Sequence, residues 1–291
     1  MKVEFNKKGI RHVWFDSLTQ LKAYEVPRVN QPRWARVMRG EGGNSLRWLG
    51  VSSVSEVLNI VNNGWPAGLQ QFKKYFDKVS LPMVKSVRRR KARGDFGDHL
   101  DMQRVYAGDL NRAWEKTERR DSGQLRGNRV TVLTNSAAAA SQNATELFWN
   151  GVATALICEA LQASGRDYEL VYSHTGYNCM EEEQRTRGHL HPVLSCFAVK
   201  LKSFGEPLSL ERIASTVVLP GFFRVYGFKM IMSTEDEAAD NLGYPRDAEI
   251  PHQVLHNSER VIVVPRTFSE TALTKLIPKI PEIVLGGGTK K

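Results

Sequence analysis

Cysteine is scarce in this chain of 291 residues: Cys158, Cys179 and Cys196 are the whole complement. Three thiols in unrelated segments make no disulfide framework and read as reduced cysteines. There is no apolar run of the roughly 18 residues that a membrane helix needs, and the start, Met1-Lys-Val-Glu-Phe-Asn-Lys-Lys, lacks the apolar core of a signal peptide. A cytoplasmic protein without a membrane partner is therefore expected. Catalytic signatures recognisable by spacing are also missing. Neither a Gly-x-Ser-x-Gly elbow, nor a Walker loop, nor a Gly-x-Gly-x-x-Gly turn is present, and no acid/base or nucleophile constellation has diagnostic spacing. An enzyme thus ranks behind binding functions, and no cofactor is expected. Acidic residues are in deficit: 31 Asp and Glu face 41 Lys and Arg, a net charge of +10. That balance favours polyanionic partners. The hydrophobic content of 41% suffices for one large core or two modest ones.

The clearest local pattern runs from Arg129 to Ser173. Arg129-Val-Thr-Val-Leu-Thr134 is short, β-branched and apolar, as suits a buried strand of a parallel sheet. A small-residue loop follows. Asn143, with Glu146 three residues on, then gives an N-cap and an acidic first turn, and Gly165 stands where a left-handed C-cap is wanted. The spacing predicts a helix over about 144–163 that is apolar on nearly every side, hence covered on most of them. Tyr168-Glu-Leu-Val-Tyr-Ser173 is the second strand. Strand, helix and strand make a right-handed βαβ unit, and open sheets bind ligands at the carboxyl edge of such strands. The loop at that edge begins with Thr134, Asn135 and Ser136.

The N-terminal part, 1–83, reads as a helical and irregular extension. Asp16 or Ser17 caps a short helix with Leu18 and Leu21, the polar stretch from Pro27 to Asn44 reads as surface loop, and Ser53 and Glu56 form a capping box. Trp48, Trp65, Phe72, Tyr75 and Phe76 are expected to pack these helices on the main domain, with base stacking as their alternative use. Between Lys73 and Arg93 nine basic residues face the single acid Asp77. Lys85, Arg88, Arg89, Arg90, Lys91 and Arg93, joined by Arg119 and Arg120 in a later basic loop, are the candidate nucleic-acid contacts, because phosphate neutralisation requires such density. A solvated linker is the bland reading. Asp95, Asp98 and Asp101 then follow at spacing three, and either meet a metal or cap a helix and pair with the arginines; pairing is the expectation. A helix from about Met102 to Lys116 leads on.

The order of an Arg-rich stretch, Gly94-Asp-Phe-Gly-Asp-His-Leu-Asp101, a helix, a basic loop and a strand ending in a Ser-containing loop resembles the von Willebrand factor A-like domains of cobaltochelatase subunits and nitric-oxide-reductase activation proteins. The likeness covers about 84–171. The Gly64-Trp65-Pro66 turn and the Leu147-Phe148-Trp149 helix start are also similar to an uncharacterised family of phage and bacterial proteins. In the metal-binding A domains the first strand ends in Asp-x-Ser-x-Ser, which holds a divalent cation. Here Thr134, Ser136 and Ala138 stand in those places, all neutral, so the resemblance implies a degenerate site and no metal.

Beyond the second strand, His174, Cys179, His189 and His191 are zinc-binding residue types whose spacing matches no standard finger or knuckle. Val193 to Lys202 is expected as a strand toward the sheet's edge. Ser209 to Val217 and Phe222 to Met232 read as helices, the latter running into a strand. From Ser233 to Ser258 a flexible loop is expected, then a last strand at Val261–Val264 and a last helix at Phe268–Ile277. The fold expected is α/β: a doubly wound, mainly parallel sheet, von Willebrand factor A-like and Rossmann-like, over 84–285, with the helical extension 1–83 and a disordered tail 286–291. The first function expected is a non-enzymatic binder of nucleic acid, single-stranded DNA before duplex, in a phage setting and thus in the host cytoplasm, that recruits a partner protein. The alternative is a protein-only adaptor, such as a partner of an ATPase.

Overall fold

A computed structural model describes residues 1–41, 45–78, 90–94, 99–100, 102–106, 108–109, 113–118, 129–136, 142–177, 194–206, 210–234 and 244–285. The strands there are β1 (Lys2–Phe5), β2 (Arg11–Phe15), β3 (Arg90–Gly94), β4 (His99–Leu100), β5 (Trp114–Glu118), β6 (Val130–Asn135), β7 (Tyr168–Tyr177), β8 (Leu194–Lys202), β9 (Tyr244–Pro245) and β10 (Arg260–Val263). The main sheet has the order β1-β2-β8-β7-β6-β10, with β9 beside the end of β7; β3, β5 and β4 form a second, three-stranded sheet. β6 runs parallel to both β7 and β10, and β2 runs parallel to β8. The pairs β1–β2, β7–β8 and β7–β9 are antiparallel. The class is α/β, as expected.

The central unit forms as its residues dictate. β6 is buried at all six positions, the near-continuous apolar run of a strand covered on both faces. Its crossover helix spans Ala144–Ala163. Asn143 Oδ1 accepts from Glu146 N at 3.0 Å while Asn143 N donates to Glu146 Oε2 at 2.9 Å, a complete capping box. At the other end Gly165 has φ +68, and Arg166 N–H reaches Leu161 O at 3.0 Å, a Schellman closure. Gly151 on this helix is glycine for a packing reason: a Cβ there would lie 2.3 Å from Val217 O. The helix therefore abuts the backbone of Ala214–Val218, which is wound as π-helix.

Helices in chain order are α1 (Leu18–Ala23), α2 (Gln31–Met38), α3 (Ser45–Leu49), α4 (Val54–Asn63), α5 (Pro66–Lys73), α6 (Met102–Tyr106), α7 (the crossover, Ala144–Ala163), α8 (Leu210–Ile213), α9 (Pro220–Phe222), α10 (Phe228–Ile231), α11 (His252–Asn257), α12 (Glu270–Leu276) and α13 (Ile280–Leu285). One sheet face carries the main core, where Val13, Phe15, Val132, Leu170, Tyr172 and Val199 meet α7 together with residues of α4, α5, α9 and α12. The opposite face is more thinly covered: Trp14, Leu133, Val171 and Ala198 pack on Val254 of α11.

Several expectations are corrected. Residues 1–83 are not an extension laid on the sheet, because β1 and β2 are strands of it, β2 being buried at all five positions. The stretch from Pro27 to Asn44 contains α2 rather than loop throughout, started by Pro32 in its first turn. The helix expected over Met102 to Lys116 ends at Tyr106, and Trp114–Glu118 is a strand held by antiparallel pairing to β3. β8 is central, between β2 and β7, because both of its faces are covered. Phe222 to Met232 runs on as π- and α-helix with no strand. The loop expected over Ser233 to Ser258 includes β9 and α11, the latter needed to cover Trp14 and Leu133. Trp65, Phe72 and Tyr75 are core residues, with Trp48 and Phe76 packed against them, which favours packing over base stacking.

Candidate functional site

At the carboxyl edge of β6 the three residues singled out from sequence turn inward. Thr134, Asn135 and Ser136 are all buried. Thr154 Oγ1 on α7 donates to Thr134 Oγ1 at 3.1 Å. Asn135 Nδ2 donates to Arg246 O at 2.9 Å. Ser136 donates through both N–H (2.9 Å) and Oγ (3.0 Å) to Ser173 O, and Ser173 Oγ returns a bond to Thr134 O at 3.0 Å. Asn150 ties the arrangement to the next loop, its Oδ1 accepting from Thr267 N at 3.2 Å. Buried polar groups need partners, and these have found them in one another. Such a lattice fixes the ends of the strands. It offers neutral oxygens that are already hydrogen-bonded, a poor set for a hard cation.

Behind this edge, on the α7 face, lies a group that the sequence did not assemble. Arg224 sits in the π-helical segment Phe223–Gly227 and is 3% exposed. Its guanidinium donates to Gln142 O at 2.6 Å and lies 4.1 Å over the Trp48 ring, with Phe223 and Phe228 farther off at 5.4 and 5.9 Å. Its Nε has no partner, and no carboxylate pairs with it among the described residues. Burial draws its pKa down to about 10, opposed by the nearby Tyr172, whose phenol burial drives upward. Aromatic faces thus stand in for a counter-ion. The warning in the sequence was two cations, Arg224 and Lys229, inside the apolar run Phe222 to Met232. Trp48, Gln142 and Tyr172 come from three distant segments, which no local pattern connects.

His174 is on β7, fully buried between Phe197 and Phe223, with ring centroids at 6.4 and 5.5 Å. Its Nδ1 has no partner among the described residues. Burial first, then the charge of Arg266, lowers its pKa to about 4. Cys179, His189 and His191, the other zinc-type residues, lie outside the described residues, as do Asp95, Asp98, Asp101 and Ala138. Among the described residues no three His, Cys, Asp or Glu side chains gather as metal ligands.

Of the candidate nucleic-acid contacts, Arg90, Lys91 and Arg93 fall in β3, an edge strand of the small sheet. Lys85, Arg88, Arg89, Arg119 and Arg120 lie outside the described residues. The register pairs Arg90 with Glu118, Lys91 with Thr117, Ala92 with Lys116 and Arg93 with Glu115. Two basic positions therefore stand opposite acids, whereas Lys91 and Lys116 do not. The rung Arg90–Glu118 also has a topological effect. It sets Arg90 beside Glu118, 28 positions later in the chain, at the end of the small sheet.

The profile of a family described as a domain of unknown function, DUF7192, matches residues 9–281. No curated protein and no solved structure matches the chain. Among the described residues no helix is long and apolar enough to cross a membrane.

Proposed function

We propose that this chain, which belongs to the DUF7192 family, is a non-enzymatic cytoplasmic protein that binds nucleic acid, single strands before duplex, and recruits a partner protein. The observation that carries this reading is the placement of Arg90, Lys91 and Arg93 in β3, an edge strand of the small sheet. Basic positions along an edge strand, preceded in sequence by Arg88 and Arg89, supply charge density of the kind that releases counterions from a phosphate backbone. The tied-up polar groups at the carboxyl edge of β6 support a non-catalytic role, since a reacting group needs a free lone pair or proton. The βαβ unit supports a von Willebrand factor A-like origin; the antiparallel β7–β8 pairing in mid-sheet departs from a mainly parallel arrangement. The acids opposite Arg90 and Arg93 favour the second reading, a protein-only adaptor.

Fluorescence anisotropy with labelled oligonucleotides separates the two. Replacing Arg88, Arg89 and Arg90 together by Glu is expected to abolish single-strand binding with an unchanged circular dichroism spectrum. Each single substitution that frees one phosphate should lower the slope of log affinity against log salt by about 0.7, with little change in sequence preference. Unchanged binding and slope in the triple variant would remove the basic segments from the account. Absence of binding by the wild type at ~50 mM salt, where even non-specific association holds, would leave the adaptor.

A further inference from the structure

β10 ends the main sheet, and its outer side is unpaired among the described residues. Val264 N–H donates to Leu133 O at 2.9 Å and Arg260 N–H to Arg129 O at 3.4 Å, so residues 260, 262 and 264 face β6. By the alternation of a parallel ladder, the N–H and C=O of Val261 and Val263 point the other way. No described residue bonds them on that side. An unpaired edge is a template for another strand, and proteins usually blunt it. Here it lies along a groove of about 910 Å³, walled on one side by Ile250 and Leu255 and on the other by Leu276, Lys279 and Ile283. Val263 and Leu255 are 40% and 41% exposed in it.

We propose that this edge binds an extended peptide of a partner protein by strand addition, with apolar side chains at alternate positions on Val261, Val263 and Leu255 and acidic residues beside Lys275 and Lys279. Three observations select this occupant. Two successive outward rungs match a strand, whereas a helix would leave them unsatisfied. The edge is recessed between α11 and the α12–α13 pair, which admits one chain; the sheet edge of a second copy would be shielded by its own helices. Four of the six charged residues lining the groove are basic, against Glu259 and Glu282. Two of the four are engaged: Arg260 donates to the carbonyls of Ile283 and Val284, and Arg266 faces Asp247 at 3.9 Å. Lys275 and Lys279, one turn apart and exposed, have no acidic partner among the described residues. The peptide's acids therefore belong beside these lysines and away from Glu259. This gives a surface to the partner-recruiting half of the function proposed above and needs no nucleic acid, so either can fail without the other.

The test uses the full chain and a fluorescein-labelled octapeptide, Thr-Val-Thr-Val-Thr-Val-Glu-Glu, followed by anisotropy without oligonucleotide. Saturable binding is expected, weakened roughly tenfold when alternate peptide amides are N-methylated, as for the loss of a hydrogen bond or two. Val263→Pro removes an outward N–H while sparing the ladder to β6, a place where an edge strand tolerates proline, and should weaken binding similarly. If that variant does not fold, Lys275→Glu with Lys279→Glu decides, and is expected to reverse the preference toward a peptide ending in two lysines. No saturable binding, or binding indifferent to N-methylation and to the lysine reversal, would overturn the proposal. A concentration-dependent dimer in sedimentation that Val263→Pro abolishes would also overturn it, in favour of edge pairing between copies.

Discussion

His174 makes the stability of this fold depend on acid in a calculable way. An ordinary histidine titrates at 6.5, and burial together with Arg266 lowers this one to about 4. Above pH 6.5 the ring is neutral in both the folded and unfolded chain and costs nothing. Between 6.5 and 4 the unfolded chain takes up the proton and the folded chain does not, so stability falls as pH falls; below 4 both are protonated and the loss levels off. The two values give a loss of about 2 kcal/mol at pH 5 and about 3 kcal/mol at pH 4 relative to pH 7, a sizeable part of the roughly 5–15 kcal/mol a domain possesses. His174→Phe suits a site flanked by Phe197 and Phe223 and cannot titrate. Urea denaturation of both proteins at pH 7, 6 and 5 is the assay. His12, whose pKa burial also lowers, slopes the same way but is present in both chains, so the difference between them isolates His174. The wild type should lose about 2 kcal/mol more than the variant by pH 5. Parallel curves, within about 0.5 kcal/mol, would mean that water or a partner reaches the ring and that the burial argument is wrong.

Gly151→Ala drives a methyl group into the Val217 carbonyl, and since backbone cannot swing aside as a side chain can, the loss in thermal or urea stability should reach or exceed the ~1–3 kcal/mol of ordinary overpacking. Asn143→Ala removes the acceptor for Glu146 N and should destabilise by about 1 kcal/mol in the same assays. Cys158 and Cys196, fully buried with thiol pKa values pushed up to about 12 by desolvation, should stay unreactive toward a disulfide reagent until denaturant is added; rapid native labelling of either would show the core open. Calorimetry with magnesium or manganese should give no binding at the end of β6, and a micromolar site lost in Ser136→Ala would reveal carboxylates arriving from elsewhere.

What the sequence made legible was whatever its residues decide locally. The β-branched run of β6, the cap at Asn143, the acidic N3 residue and the glycine at 165 all act within a few positions, and they mark β6 and its crossover helix almost to the residue, while β7 runs past the expected end at Ser173 to Tyr177 and takes His174 into the sheet. β2 was invisible for the opposite reason. Arg11-His-Val-Trp-Phe15 shows no alternation, because burial on both faces leaves none to see, and Arg11 donates inside to Ser195 Oγ at 3.0 Å. Trp114–Glu118 was misread because Val105, Leu110 and Trp114 approximate helical spacing, whereas cross-strand pairing with Arg90–Gly94 determines its state. In the candidate site Arg224 stood out as a cation among apolar residues, but its surroundings are set by Trp48 and Gln142, far away in the chain.

The placement of β2 also has a consequence in time. Its parallel partner β8 lies 184 positions downstream, as the Arg11–Ser195 bond measures, so during synthesis the finished β2 waits for a neighbour that does not yet exist. At about 5–20 residues per second the wait is roughly 10–40 s. Over that interval Trp14 and Phe15 have no sheet to enter, although β6, α7 and β7 can already assemble. Closure over so long a separation makes a slow last step in folding. A nascent chain stalled before Leu194 would hold a formed βαβ unit beside a β1–β2 hairpin whose other edge is unpaired, the kind of species that chaperones bind.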